Sequence, residues 1–228
     1  MKMKKVFIIA ALCIIATSCS VTKFVTTGDY KLSGVEPSLN VSDKGSMAGN
    51  TYTDGVVSIT PVMERKYISI NVTNNSSSSI KVDWDNGAYI DEFGNAHRII
   101  HTGTKLVDKE KAQVASIVPK GSQINDIVSP SDYVEYDTTL GWQYTPLMQG
   151  SSYSSKEEAL ANLDAFQPVK LLIPIVYEGT TREYTFTFVG YNLGVEEVQQ
   201  IDSKKSWGVY YGVCGGIILA SLIVIATV

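Results

Sequence analysis

Between Ser20 and Ser206 the chain has no cysteine; its three cysteines stand at Cys13, Cys19 and Cys214. That stretch can hold neither a disulfide framework nor a thiolate metal site. Its stability therefore rests on a packed core, which a body of this length can supply. Histidine is nearly as scarce, with His97 and His101 alone. Basic residues are outnumbered, 19 Lys and Arg against 23 Asp and Glu, and the body has no basic cluster. Phosphate binding needs concentrated Lys and Arg, so nucleic acid is excluded as a partner, and so is an electrostatic grip on anionic lipid. A nucleophile elbow, a Gly-rich phosphate loop after a strand and an HExxH pair are also missing. No catalytic residue and no cofactor are assigned.

Long apolar runs are confined to the two ends. Met1 to Lys5 carries three lysines and no acid, Val6 to Ala16 is apolar throughout, and Ala16, Thr17 and Ser18 are small. This is the layout of a secretory signal with its cleavage site. The apolar run has 11 residues, whereas a helix crossing a bilayer core needs about 20. Loss of three lysines with the signal deepens the acid excess of the remaining chain.

Ala16-Thr17-Ser18-Cys19 resembles the lipobox of bacterial lipoproteins. The resemblance covers the first twenty residues or so. It implies cleavage before Cys19, acylation of the Cys19 thiol and of the new amino group, and a body on the exported side, in the periplasm. Several acyl chains, at about 0.8 kcal/mol per buried methylene, hold a protein firmly on a membrane. Ser20, standing where Asp is absent, resembles lipoproteins sent to the outer rather than the inner membrane.

The body reads as short strands. In "KYISINVT" Ile68, Ile70 and Val72 alternate with Ser69, Asn71 and Thr73, the period of a strand with one buried face. After "NNSSSS" the alternation resumes with Ile80, Val82 and Trp84, and the two runs are expected to pair antiparallel. "AYID" and "HRIIH" flank a Gly-Asn turn as a hairpin, and "ASIVP" and "NDIVS" add strands around Pro119-Lys120-Gly121. Residues 137–155 read as a long irregular loop. Ser155 and Glu158 match a capping box, with Leu160, Leu163 and Phe166 at helical spacing until Pro168. "VKLLIPIVY" and "REYTFTFVG" form the clearest hairpin, with Pro174 marking an edge or bulge.

Many short strands and one short helix predict a mainly β fold, an antiparallel sandwich. The arrangement resembles the immunoglobulin-like domains of bacterial envelope proteins, with Trp84 as a core aromatic. The expected layout is a signal peptide at 1–18, a lipid-anchored segment and linker at 19–50, the β-sandwich at 51–194, a linker at 195–206 and a transmembrane helix at 207–228.

That last segment, Trp207 to Val228, has no charged side chain, and 22 helical residues span about 33 Å. Trp207, Tyr210 and Tyr211 stand where amphipathic rings favour the headgroup layer. Gly208, Gly212, Gly216 and Ala220 recur every four residues, a smooth stripe that admits a second backbone. The stripe resembles a glycine zipper, which implies self-association or packing against a membrane partner.

Two groups invite a metal. His97 and His101 sit in "HRIIH"; on a strand they would share a face about 13 Å apart, too far for one ion. "DWDNGAYIDE" bunches Asp83, Asp85, Asp91 and Glu92, but its spacing fails the EF-hand pattern. No metal ligands are assigned.

These readings lead to a cell-envelope lipoprotein whose β-sandwich binds or scaffolds without catalysis and whose C-terminal helix makes homo-oligomers or engages a membrane protein. Membrane lipid is the expected partner. Two alternatives stand beside it: an envelope enzyme acting on cell-wall or carbohydrate substrates through the "DWDNGAYIDE" region, and a self-assembling pore protein built on the glycine stripe.

Overall fold

Alternation of apolar and polar side chains, which buries one face of a strand, governs most of the chain. The structure, a computed structural model, describes residues 20–38, 45–148, 150–163 and 166–201. Cys19, the signal at 1–18 and the segment 207–228 with Gly208, Gly212, Gly216 and Ala220 lie outside the described residues. Among the described residues no helix is long and apolar enough to cross a membrane.

The strands in chain order are β1 (Ser20–Pro37), β2 (Ser46–Ala48), β3 (Thr51–Thr53), β4 (Val57–Met63), β5 (Ile68–Asn74), β6 (Ile80–Val82), β7 (Ala88–Ile90), β8 (Ala96–His101), β9 (Ser116–Val118), β10 (Gln123–Pro130), β11 (Val134–Asp137), β12 (Gly141–Tyr144), β13 (Ser152–Tyr153), β14 (Val169–Tyr177) and β15 (Thr180–Ile201). Among the described residues one α-helix, α1 (Lys156–Ala161), follows β13. The chain is thus mainly β and antiparallel, as the alternation predicts. It divides into two compact units: the larger takes residues 28–149 and 164–193, and the smaller takes its described residues from 20–27, 150–163 and 194–201.

In the larger unit the hydrogen-bonded order runs β15-β14-β7-β8-β10-β5-β4-β3-β2, with β6 on β14 and β9 on β6. Residues 96–98 of β8 pair with β7 and residues 99–101 pair with β10. One strand therefore joins two halves of a curled antiparallel sheet. Both halves supply one core: Ile59, Val72 and Ile68 from one, Leu171, Ile173, Phe186 and Trp84 from the other. Each such side chain contributes about 1.5–3 kcal/mol by leaving water. The β14–β15 hairpin turns through Glu178 and Gly179, at φ 49° and 77°, the left-handed pair of a type I′ turn.

The structure corrects several expectations. The runs before and after "NNSSSS" do not pair with each other; β5 lies between β4 and β10, and β6 lies between β14 and β9. Buried Asn74 is the reason, since its Nδ2 donates to the carbonyls of Ser78 and Val118, each at 2.8 Å. The polar run is a crossing braced from inside, not a hairpin loop. Trp84 is a core aromatic, fully buried, but it opens a 3-10 turn (Trp84–Asn86) instead of extending a strand.

Pro174 marks neither an edge nor a bulge. It pairs with Glu183 on one side, and on the other it falls where the partner of β14 changes from β7 to β6. A missing N–H is tolerated at that gap, and the Pro174 carbonyl accepts from the Asp83 N–H at 3.0 Å. Residues 137–155 contain strand structure, the β11–β12 hairpin and β13. The helix starts as expected, with Ser155 Oγ accepting from the Glu158 N–H at 3.2 Å, but it ends at Ala161. Strand β1 occupies much of the 19–50 stretch read as anchor and linker, and β15 runs on to Ile201.

In the smaller unit β13 pairs with β1 through Phe24↔Tyr153 and Val25↔Ser152. Buried Thr26 locks that pair, donating its N–H to the Ser151 carbonyl at 3.0 Å and accepting the Ser151 N–H on Oγ1 at 2.9 Å. On the other side of β1, Gln199 Nε2 of β15 donates to Thr22 Oγ1 at 3.0 Å.

Candidate functional site

Strand β8 carries both histidines, and each is taken up by carboxylates. His97 Nδ1 lies 2.6 Å from Asp132 Oδ2, and its Nε2 lies 3.2 Å from Asp91 Oδ2. With both ring nitrogens facing acceptors, the imidazolium is the form that satisfies the site. Burial works to lower the His97 pKa, but the hydrogen bonds to Asp132 and Asp91 outweigh it and raise the group above its ordinary value. Burial likewise opposes ionised Asp91, and is outweighed by the side-chain and backbone N–H of Asn95, by His97 and by the Phe93 N–H, so its carboxyl is held below the usual range. Tyr89 and Tyr133 flank the ring, Tyr133 edge-on at 5.1 Å. Burial, then the charge of Glu92, pushes the Tyr133 hydroxyl up to about 12. A base needs a nitrogen free to take a proton from substrate, and His97 has neither nitrogen free.

His101 stands differently. Its Nδ1 is 3.0 Å from Asp126 Oδ2, and its ring stacks on Trp84 at 5.1 Å with 13° between planes. Asp126 Oδ1 also accepts the N–H groups of Thr102 and Ile127, at 3.0 and 2.8 Å. Asp126 is part of the wall of a groove of about 470 Å³ across the outer face of β4, β5 and β10. Polar side chains of this face pair with one another: Asn71 Nδ2 donates to Asn125 Oδ1 at 2.8 Å, and Thr60 meets Thr51 at 2.8 Å. Val62 and Ile127, about two-fifths exposed, supply apolar surface. The groove is lined by hydroxyls and amides together with the aliphatic side chains of Val62 and Ile127.

The carboxylates of "DWDNGAYIDE" do not converge. Asp83 Oδ2 accepts from Asn86, Asp85 Oδ1 pairs with Arg98 at 2.6 Å, and Asp91 serves Asn95 and His97. The hydrogen bond from Arg98, then that from the Gln113 N–H, holds the Asp85 carboxyl low. Among the described residues no group of three or more His, Cys, Asp and Glu is placed to hold a metal ion.

Two acids that matter here, Asp126 and Asp132, carry no signal in the sequence. Their histidine partners lie 25 and 35 residues away, joined by strand pairing and by the Ser131–Tyr133 turn. The shared face of His97 and His101 on one strand is the only local signal. Cys19 and the glycine stripe lie outside the described residues. No protein-family model matches the chain, and neither a curated protein nor a solved structure does.

Proposed function

We propose that the protein is a bacterial cell-envelope lipoprotein, held by acylated Cys19, with a non-catalytic binding or scaffolding β domain and a membrane-associating C-terminal segment. The reading is carried by the lipobox-like Ala16-Thr17-Ser18-Cys19 together with the place of β1, which among the described residues runs from Ser20 to Pro37. A lipid on Cys19 would sit directly at the end of that strand.

A binding role is supported by the state of the polar groups. The open groove on β4, β5 and β10 presents the amides of Asn71 and Asn125 and the hydroxyl of Thr60 beside Val62 and Ile127, while His97 and Asp85 are engaged in ion pairs within the fold. The curled sheet, whose two halves share one core, supports the immunoglobulin-like sandwich as its finer description.

Intact mass of the protein purified from membranes is the test. The expected result is a chain starting at Cys19 with added acyl chains. A chain starting at Met1 without lipid overturns the reading.

A further inference from the structure

Strands β1 and β15 are hydrogen-bonded neighbours, and their direction follows from two contacts in the smaller unit. Thr22 meets Gln199. Five residues further along β1, Thr27 faces Gly194, five residues back along β15, with Thr27 Oγ1 3.7 Å from where a Gly194 Cβ would sit. The pair is antiparallel, and Ser20 and Ile201 fall at the same end of it.

This has a consequence for the two apolar ends of the chain. Cys19 is one residue from Ser20. The six steps from Ile201 to Trp207 cover at most about 21 Å even when fully extended. That is less than the thickness of one bilayer core, about 30 Å. An apolar segment beginning at Trp207 starts within that distance of the strand end beside Cys19.

We infer that the end of the ladder formed by Ser20 and Ile201 faces a single lipid bilayer, which receives both the acyl chains of Cys19 and the segment 207–228. The protein is gripped twice by one membrane and does not join two. The inference rests on the lipoprotein reading and adds to it a membrane-facing surface. It also explains what a second anchor adds. One flexible lipid leaves a body free to swing, whereas two attachments side by side on adjacent strands fix the direction of the ladder.

The test uses the full acylated protein with Cys214→Ser, labelled in turn at Thr22→Cys, Gln199→Cys, Thr27→Cys and Gly194→Cys. It is reconstituted into phosphatidylcholine vesicles that carry a headgroup quencher. Five residues of strand amount to about 17 Å. Labels at 22 and 199 should be quenched alike, and at least twofold more than labels at 27 and 194. Quenching at 22 without quenching at 199 overturns the inference, as does membrane-bound protein with all four labels unquenched. Clustering of two separately prepared vesicle populations also overturns it, since that would mean bridging. Absence of acyl chains from the intact mass, with no vesicle binding, is the distinct failure of the lipoprotein reading itself.

Discussion

Two antiparallel hairpins in this chain both carry aromatic residues and are held by different forces. In β14–β15 the aromatic residues Tyr184, Phe186 and Phe188 point into the core and are almost wholly shielded from water. In β11–β12 the opposed pair Tyr136 and Trp142 meet edge-on at 5.3 Å, yet Tyr136 is 62 % exposed and the tip residue Leu140 is 67 % exposed. The second hairpin forms its own two-stranded sheet. It is secured at its base by polar contacts: Lys109 Nζ donates to the carbonyls of Ser131 and Val134 at 2.7 and 2.6 Å, and His97 holds Asp132. Alternating aromatics make a hairpin, but burial decides whether that hairpin supports the fold.

The largest effect should come from the buried hairpin. Phe186→Ala removes a ring with no exposed surface and should cost about 3–5 kcal/mol, read from urea unfolding. A loss below about 1 kcal/mol would mean that β14–β15 is no more central than its exposed counterpart.

The base of β11–β12 should respond next, and with pH. His97→Gln leaves Asp91 with one hydrogen bond fewer and should cost about 1–3 kcal/mol near pH 6. The His97 pKa is raised in the fold, so its contribution is fully present below the unfolded value of about 6.5 and fades as pH rises through the folded value. Asp91 is lowered, so its contribution is present above about 3.9 and fades as pH falls through its folded value. The gap between wild type and His97→Gln should therefore narrow from about pH 6 to about pH 9. A gap that stays constant over that range would show that the ring's charge does not hold the hairpin base.

The smallest effect should be at the exposed tip. Tyr136→Ala should change stability by less than about 0.5 kcal/mol, again by urea unfolding. A loss as large as that of Phe186→Ala would erase the contrast between the hairpins.

How much of this is legible in the sequence follows the same contrast. The β14–β15 hairpin is legible because its alternation and its turn are both local. Residues 137–155 are not, because Gly, Ser, Thr and Tyr carry little period and the hairpin's aromatics face outward. The strands around "NNSSSS" mislead because adjacency in sequence favours a hairpin, and only the interior bonds of Asn74 reveal a crossing. The polar face of β5 is visible as alternating Ser69, Asn71 and Thr73. Its assembly into a groove is not, since it depends on strands that meet across some 54 residues, as Asn71 and Asn125 do.

The pairing of β1 with β15 also sets a schedule. A ribosome makes the chain from its N-terminus, so the 18 residues of β1 exist long before their partner. At about 5–20 residues per second, the stretch between Pro37 and Thr180 takes on the order of ten seconds to synthesise. Until Ser152 and Tyr153 are made both edges of β1 wait, and the ladder closes only when β15 arrives. Anything that keeps young chains apart during those seconds protects this protein, and anything that crowds them invites one chain's first strand to take another's last.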